Sequence, residues 1–127
     1  MRVVDTERVL CSVAEVREHG CRGFMLGEGD WPLRGFVVHV PDGYRAYVNW
    51  CPHAGHPLNL KPHQFLTPDG ALIQCCSHGA LFERAGGLCI AGPCAGKSLH
   101  ALPVQVVDGY ILLVEGVALS SPHSLPF

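Results

Sequence analysis

The sequence has no long run of apolar residues, and this absence limits where the protein can work. No stretch approaches the roughly 20 consecutive apolar residues that a membrane-spanning helix needs. The apolar pair Val3-Val4 is followed at once by the polar and charged residues 5–8, so the start does not resemble a signal peptide. We therefore expect a soluble, cytoplasmic protein with no membrane partner.

An excess of basic charge is also missing. The chain has 9 Lys and Arg against 11 Asp and Glu, a formal net charge of −2. Proteins that bind nucleic acids present a basic stripe to the phosphates, and this balance gives such a partner no support. The sequence also lacks a Ser/His/Asp grouping, a phosphate-binding glycine loop and a paired-carboxylate motif. These absences remove the usual grounds for predicting a hydrolase or a nucleotide-binding enzyme.

Cysteine, in contrast, is plentiful, with seven residues in a chain of 127. In a reducing compartment, thiols serve metals or redox chemistry more often than structural disulfides, and an odd number fits that use. The length is that of one domain with one hydrophobic core. We predict a single domain over residues 1–127, with an ordered core at about 9–114 and flexible ends at 1–8 and 118–127.

Short strands separated by glycine turns dominate the rest of the sequence. Asp42-Gly43 separates the β-prone residues 36–40 and 44–48, and Asp108-Gly109 separates residues 102–107 and 110–114. Both are strong hairpin signals, because glycine adopts the positive φ of a tight turn. Further strands are predicted at residues 22–26, 71–74 and 88–91, with one helical turn at 14–18 that ends at Gly20. The pattern indicates an all-β sandwich or barrel.

Two Cys/His pairs carry the clearest chemical signal. They are Cys51-x-His53 and, after 21 intervening residues, Cys75-x-x-His78, and each pair follows a turn and a strand. A tetrahedral zinc site could use all four side chains, although zinc sites more often have a Cys-x-x-Cys pair followed by a His pair. The alternation favours a [2Fe–2S] cluster in which one iron takes both thiolates and the other iron takes both imidazoles.

The surrounding motifs, Cys-Pro-His-x-Gly at residues 51–55 and Cys-x-x-His-Gly at 75–79, resemble those of Rieske iron–sulfur proteins. The resemblance extends over roughly residues 9–114 and includes Asn49, Phe82 and the Gly92-Pro93 loop. It implies small antiparallel sheets with an inserted cluster-binding subdomain made of paired loops. It also implies one cluster, with Cys51 and Cys75 on the buried iron, and His53 and His78 on the outer iron near solvent.

Four positions depart from the respiratory members of that family. Those relatives have a cysteine in each motif that forms a disulfide between the loops, whereas this chain has His56 and Ser77 there. They also have a serine and a tyrosine whose hydroxyl groups raise the cluster's potential, where this chain has Ala80 and Phe82. Fewer donors stabilise the reduced cluster less, so the expected potential lies near the low end of the Rieske range, about −150 mV.

The resemblance implies an electron-transfer component rather than an enzyme acting alone. Terminal oxygenases of the family add a large domain with a mononuclear iron site, and here the remaining histidines occur singly, at positions 19, 39, 63, 100 and 123. We expect a Rieske ferredoxin that passes single electrons from a flavin reductase to a terminal oxygenase or another oxidoreductase. The alternatives are a Rieske-like small subunit of a larger oxidoreductase, such as nitrite reductase, and a zinc-stabilised binding module without redox activity.

Side chains near the motifs receive simpler predictions. Cys76 is expected to be a small buried hydrophobe, as are Cys11, Cys21, Cys89 and Cys94. Cys94 is singled out because the Gly92-Pro93 loop would place it near the cluster. Trp50 is predicted to be a core or rim aromatic that could help to exclude water from the cluster, Trp31 a core or rim aromatic, and His56 either a tuning group or a solvated side chain.

Overall fold

The computed structural model describes residues 8–27, 32–52, 57–59, 61–76 and 79–114. Ten strands and one helix lie in these ranges. They are β1 Val9–Ser12, α1 Val13–His19, β2 Cys21–Leu26, β3 Leu33–Val40, β4 Gly43–Val48, β5 Ile73–Gln74, β6 Leu81–Phe82, β7 Cys89–Ala91, β8 Ala101–Leu102, β9 Val104–Val107 and β10 Tyr110–Leu113. The predominance of strands over the one short helix confirms the predicted all-β class.

The strands form three antiparallel sheets. The central sheet has the order β2-β3-β4-β8, the second has the order β1-β10-β9, and the third has the order β5-β6-β7. The strands of the third sheet contain only seven residues in total, and each strand pairs with the next one along the chain. Cys75 directly follows the first of them, β5. This small sheet corresponds to the inserted subdomain that the resemblance implied.

Strand β3 explains how the three sheets share two cores. Successive side chains of a strand point to opposite faces. Phe36 and Val38 therefore enter the core that also contains Cys51 and Cys75, whereas Leu33 and Val37 enter the core shared with β1 and β10. Because both faces of β3 are covered, its sequence is nearly continuously apolar.

Helix α1 begins and ends at well-defined caps. The Ser12 hydroxyl accepts from the backbone N–H of Glu15 at 3.1 Å, and the Glu15 carboxylate accepts from the backbone N–H of Ser12 at 2.9 Å. This reciprocal capping box satisfies two N–H groups that lack partners within the helix. At the other end Gly20 adopts a φ of 83°, as predicted. Two turns of helix thus connect β1 to β2.

The hairpin of β3 and β4 was predicted correctly, but the one predicted for residues 102–107 and 110–114 needs correction. Pro103 divides its first arm: β8 pairs with β4 in the central sheet, and β9 pairs with β10. Proline lacks the N–H that continuous ladder pairing requires. The chain therefore passes from one sheet to another at Pro103. The strand predicted at residues 71–74 is also shorter, because β5 contains only Ile73 and Gln74.

The predicted flexible ends lie outside the described residues, apart from Arg8. The same holds for Trp31 and most of the loop predicted around it. In the part of the chain that is described, no helix combines the length and the apolar character needed to cross a membrane.

Candidate metal centre

Cys51 and Cys75 lie at the ends of two strands that approach the same core. Cys51 follows β4 after a short turn and is 0% exposed, and Cys75 follows β5 directly and is 1% exposed. Neither forms a disulfide, and both belong to one buried cluster with Leu58, Ala80 and other apolar side chains. The structure thus brings together two of the four predicted ligands. The other two, His53 and His78, lie outside the described residues, as do His56 and Ser77.

The two cysteine loops are joined through Leu58. The backbone N–H of Cys76 donates to the carbonyl of Leu58 at 2.7 Å, and the N–H of Leu58 donates to Asn49 Oδ1 at 2.8 Å. The Asn49 amide in turn donates to Asn59 Oδ1 at 2.8 Å. Because Asn49 precedes Cys51 by two residues, one side chain fixes the start of the first loop against the second.

A third loop, the turn over residues 92–96, packs against the same site. Gly92 adopts a φ of 98°, and a Cβ there would lie 2.8 Å from the Cα of Ala80. The close approach requires glycine and brings the following residues over the cysteines. Cys94 is 1% exposed, its thiol donates to the Cys89 sulfur at 2.9 Å, and it belongs to the same buried cluster as Cys51 and Cys75. The prediction that this loop would place Cys94 near the site is therefore confirmed.

The thiol groups of this region are strongly desolvated. Burial, followed by the neighbouring Cys89 and Cys51 sulfurs, raises the pKa of Cys94 to about 12. A buried thiolate without a positive partner or a metal is unfavourable. Cys51 and Cys75 are as fully buried as Cys94, at 0% and 1% exposure, and a cysteine binds a metal as the thiolate. This donor set fits an iron that is ligated by two thiolates.

Ala80 and Phe82 form the floor of the site and are both fully buried. Their side chains carry no hydrogen-bond donor, in agreement with the expectation from the sequence. The carbonyl of Ala80 accepts from the N–H of Cys75 at 2.9 Å, which closes the second loop. At these two positions the polar contacts come from the backbone, whereas the Ala80 and Phe82 side chains contribute only apolar packing.

Arg84 connects the small sheet to the rest of the molecule, a role that sequence reasoning missed. Its guanidinium donates to the carbonyls of Gly70, at 2.8 Å, and of His39, with a longer contact of 3.5 Å to the carbonyl of Gly20. The Tyr47 hydroxyl donates to the carbonyl of Arg84 at 2.7 Å. An arginine after a strand gives no local signal of such partners, because they come from three distant turns and strands.

Among the remaining cysteines and Trp50, one prediction needs correction, that for Cys76. Cys11, Cys21 and Cys89 are buried, as predicted, and burial is the main cause that raises the pKa of Cys11 to about 12. Cys76 is exposed, so its predicted burial was wrong: Cys75 is buried in the core, and Cys76 lies in the turn that follows it. Trp50 packs, partly buried, against the core shared with β1 and β10, which confirms a core or rim aromatic. Its suggested part in excluding water from the cluster stays a prediction.

The described residues do not complete a metal site by themselves. Among them, no three His, Cys, Asp or Glu side chains form a group that could hold a metal ion. The two predicted histidine ligands, His53 and His78, belong to the segments at residues 53–56 and 77–78, which lie outside the described residues.

Comparisons with known proteins agree with this arrangement. The protein-family model described as the Rieske [2Fe–2S] domain matches residues 6–110. A search of curated proteins gives no match. Among solved structures, a ferredoxin from Sphingomonas yanoikuyae B1 is 25% identical with a TM-score of 0.61, and the match covers 84% of this chain and 96% of the ferredoxin.

Two further structures share the fold. The ferredoxin of carbazole 1,9a-dioxygenase from Nocardioides aromaticivorans IC177 is 22% identical with a TM-score of 0.63, covering 83% of this chain and 93% of that one. A cyanobacterial plasma membrane Rieske protein from Synechocystis PCC 6803 is 24% identical with a TM-score of 0.61, covering 84% and 97%. All three matches span nearly the whole of the related protein.

Proposed function

Since the chain belongs to the Rieske [2Fe–2S] family, whose cofactor is one [2Fe–2S] cluster, we propose that Cys51, His53, Cys75 and His78 hold that cluster and that the protein is an electron carrier. The thiolates of Cys51 and Cys75 would bind the inner iron. The imidazoles of His53 and His78 would bind the outer iron, nearer to solvent.

The observation that carries the proposal is the shared burial of Cys51 and Cys75. These two cysteines, at 0% and 1% exposure, follow strands of two different sheets and lie in one apolar core. The Cys76–Leu58 hydrogen bond and the Asn49 side chain hold their loops together. Electron transfer requires rigid loops that limit reorganisation, an apolar shell that keeps water from the cluster, and ligands that lie near the surface.

The acceptor that we propose is a terminal oxygenase or another oxidoreductase, and the donor is a flavin reductase. The similarity to the Sphingomonas yanoikuyae ferredoxin, which the match covers almost completely, supports a carrier. A low potential, about −150 mV, suits such a chain of partners, and the buried Ala80 and Phe82 support it because neither side chain can donate to the cluster. The cluster would carry the electron. The protein itself would make and break no covalent bond.

The ligand assignment is tested by electron paramagnetic resonance of the dithionite-reduced protein. Mixed Cys and His ligation gives a lower average g value than ligation by four cysteines. His78→Cys is expected to shift the spectrum toward the all-thiolate type and to lower the potential. His100→Cys serves as the control, because His100 is exposed and follows the third loop, and its spectrum should equal that of the unmodified protein. An unchanged spectrum for His78→Cys would contradict the assignment.

The carrier role is tested by rapid mixing. Protein reduced by one electron per cluster, with half a mole of dithionite per mole of protein, should be reoxidised at once by a ferredoxin-dependent oxygenase component with its substrate, and far more slowly by dioxygen alone. A protein that keeps its electron in the presence of such acceptors, yet co-purifies with a large flavin or haem subunit, would instead be a subunit of a larger oxidoreductase.

A further inference from the structure

Two cysteines outside the Cys/His motifs lie side by side beneath the third loop. The sulfurs of Cys94 and Cys89 are 2.9 Å apart, and the two side chains are 1% and 2% exposed. Neither forms a disulfide. A disulfide bond is about 2.05 Å long, so the two sulfurs need to approach by less than about 1 Å in order to bond.

The backbone holds the two cysteines in this position. The Cys89 N–H donates to the carbonyl of Lys97 at 2.8 Å, and the Lys97 N–H donates to the carbonyl of Cys94 at 2.9 Å. The Gly96 N–H also donates to the carbonyl of Cys89, at 3.1 Å. Because these bonds join the main chain next to both cysteines, a bond between the sulfurs requires only small side-chain adjustments.

The reduced pair is also a satisfied arrangement. The Cys94 thiol donates to the Cys89 sulfur, and the Cys89 thiol donates to the carbonyl of Ala91 at 3.2 Å. Each buried S–H group therefore has an acceptor. Within the described part of the chain, no three His, Cys, Asp or Glu side chains form a metal-binding group that could use this pair. The two sulfurs thus fit two states, a hydrogen-bonded dithiol and a disulfide.

The position of Cys94 decides which sulfur a reagent meets first. The residues on both sides of it, 91–93 and 95–98, are exposed. Local opening of such a turn costs less free energy than the opening of a paired strand. Cys89 lies in β7 and pairs with Phe82 of β6. Opening of the third loop therefore exposes Cys94 before Cys89.

We propose that Cys89 and Cys94 are a reversible redox pair, which a low-molecular-weight disulfide such as glutathione disulfide converts into an internal disulfide that holds the third loop closed. The Cys94 sulfur attacks one sulfur of glutathione disulfide, whose S–S bond breaks, and one glutathione leaves with the thiol proton. The Cys89 sulfur then attacks the Cys94 sulfur and displaces the second glutathione, which takes the second proton. Two thiols lose two electrons, and one glutathione disulfide gains them. The bridge forms whichever residues hold the cluster.

Disulfide mapping of the unmodified, cluster-loaded protein tests the pair. The protein is equilibrated without dioxygen at increasing ratios of oxidised to reduced glutathione, denatured with an alkylating agent, and digested with trypsin. Both cysteines fall in the peptide of residues 85–97. We expect this peptide to lose the mass of two hydrogens, to carry no glutathione, and to regain its thiols in reduced glutathione. No bridge at any ratio, or a bridge from Cys94 to another cysteine, would overturn the proposal.

Serine variants test the order of the two steps. In Cys89→Ser the second step is impossible, so glutathione should accumulate on Cys94. In Cys94→Ser the bridge is lost, and Cys89 should take up glutathione more slowly than Cys94 does in Cys89→Ser. The control is Cys21→Ser, because Cys21 is 3% exposed and its thiol donates to the carbonyl of His63 rather than to a sulfur. Loss of the bridge in Cys21→Ser, or faster uptake by Cys89, would contradict the proposed steps.

Hydrogen exchange tests the closure of the loop. The N–H groups of Gly96 and Lys97 are bonded to the carbonyls of the two cysteines. A bridge removes open states of the chain between them, so both groups should exchange roughly tenfold more slowly in the oxidised protein. The Gly70 N–H, which donates to Thr67 in a different turn, should not change. Equal exchange of Gly96 and Lys97 in the two states would overturn the closure.

The resonance spectrum separates this proposal from the proposed function. A reduced protein without the Rieske-type signal would refute the ligand assignment, whereas the peptide map alone decides whether Cys89 and Cys94 form a bridge.

Discussion

The backbone N–H of Cys76 donates to the carbonyl of Leu58 at 2.7 Å, so the two cysteine loops are tied to each other and not only to the sheets that carry them. Leu58 is in turn fixed by Asn49, whose side-chain oxygen accepts from the Leu58 N–H. The two motifs therefore behave as one unit, and the integrity of that unit can be tested away from the ligands.

Asn49→Ala should weaken the unit. Leu58 is fully buried, so its N–H would be left without the Asn49 acceptor, at a cost of about 1–3 kcal/mol in the free energy of unfolding. Urea denaturation measures that loss, and the decay of visible absorbance measures faster release of the cluster. Asn59→Ala removes the partner of the Asn49 amide and an exposed hydrogen bond to the carbonyl of Lys61, but leaves the Leu58 N–H paired, and should cost less. Equal losses in both variants would contradict the role given to the Asn49 oxygen.

Gly92 and Gly96 form a matched pair in the third loop. Both have positive φ, 98° and 90°, so alanine is strained at either position, at roughly 1–2 kcal/mol. A Cβ at Gly92 would also lie 2.8 Å from the Ala80 backbone, whereas nothing lies within 4 Å of one at Gly96. Gly92→Ala should therefore cost about 1–3 kcal/mol more than Gly96→Ala. Urea denaturation of the two variants decides this, and similar midpoints would show that the loop does not press on Ala80.

Arg84 should not be replaceable by lysine. The guanidinium reaches the carbonyls of Gly70 and His39 together, whereas one ammonium group cannot keep this forked geometry. We expect Arg84→Lys to lower the free energy of unfolding by about 1–3 kcal/mol. Arg45→Lys is the control, because Arg45 is more exposed and pairs with Asp42 at the surface, where a change within about 0.5 kcal/mol is expected. Thermal and urea unfolding of both variants provide the measurement.

Cys76 should be the thiol that reacts first with a water-soluble disulfide reagent. It is exposed, whereas the other six cysteines are buried and the pKa of Cys11 and of Cys94 is raised to about 12, mainly by burial. The cluster-loaded protein is expected to release one equivalent of the reagent's thiol in a fast phase, and Cys76→Ser should remove that phase. A fast phase that survives in Cys76→Ser would mean that a buried thiol is accessible.

The Glu15 carboxylate should make the free energy of unfolding depend on pH. The backbone N–H of Ser12, and then its side chain and Arg22, lower the pKa of Glu15 from its ordinary value of 4.5, with burial opposing them. A carboxyl whose folded pKa is depressed stabilises the fold above the unfolded pKa, and that contribution is lost as the pH falls through the folded pKa. The free energy of unfolding should thus decline more steeply below about pH 4.5 in the unmodified protein than in Glu15→Gln. Denaturation over a pH series measures both slopes, and parallel curves would refute the prediction.

Prediction from the sequence succeeded where the determining interactions are local. The Asp42-Gly43 and Asp108-Gly109 turns and the Gly20 helix end follow from glycine's access to positive φ, which needs no distant partner. It was less successful where two neighbours in sequence have different surroundings. Cys75 and Cys76 differ by one position, and only the direction of the chain leaving β5 makes one buried and the other exposed.

By itself, the sequence determined the kind of centre that this protein holds, because the side chains that bind a metal and the glycines that shape their loops are fixed by identity and spacing. Only the tertiary structure decided what surrounds the two cysteines. Arg84 finds its carbonyl partners, Pro103 moves the chain between sheets, and Cys94 joins Cys51 in one buried cluster, all through contacts between residues far apart in the chain. Such contacts depend on how the sheets pack, and sequence spacing does not encode them.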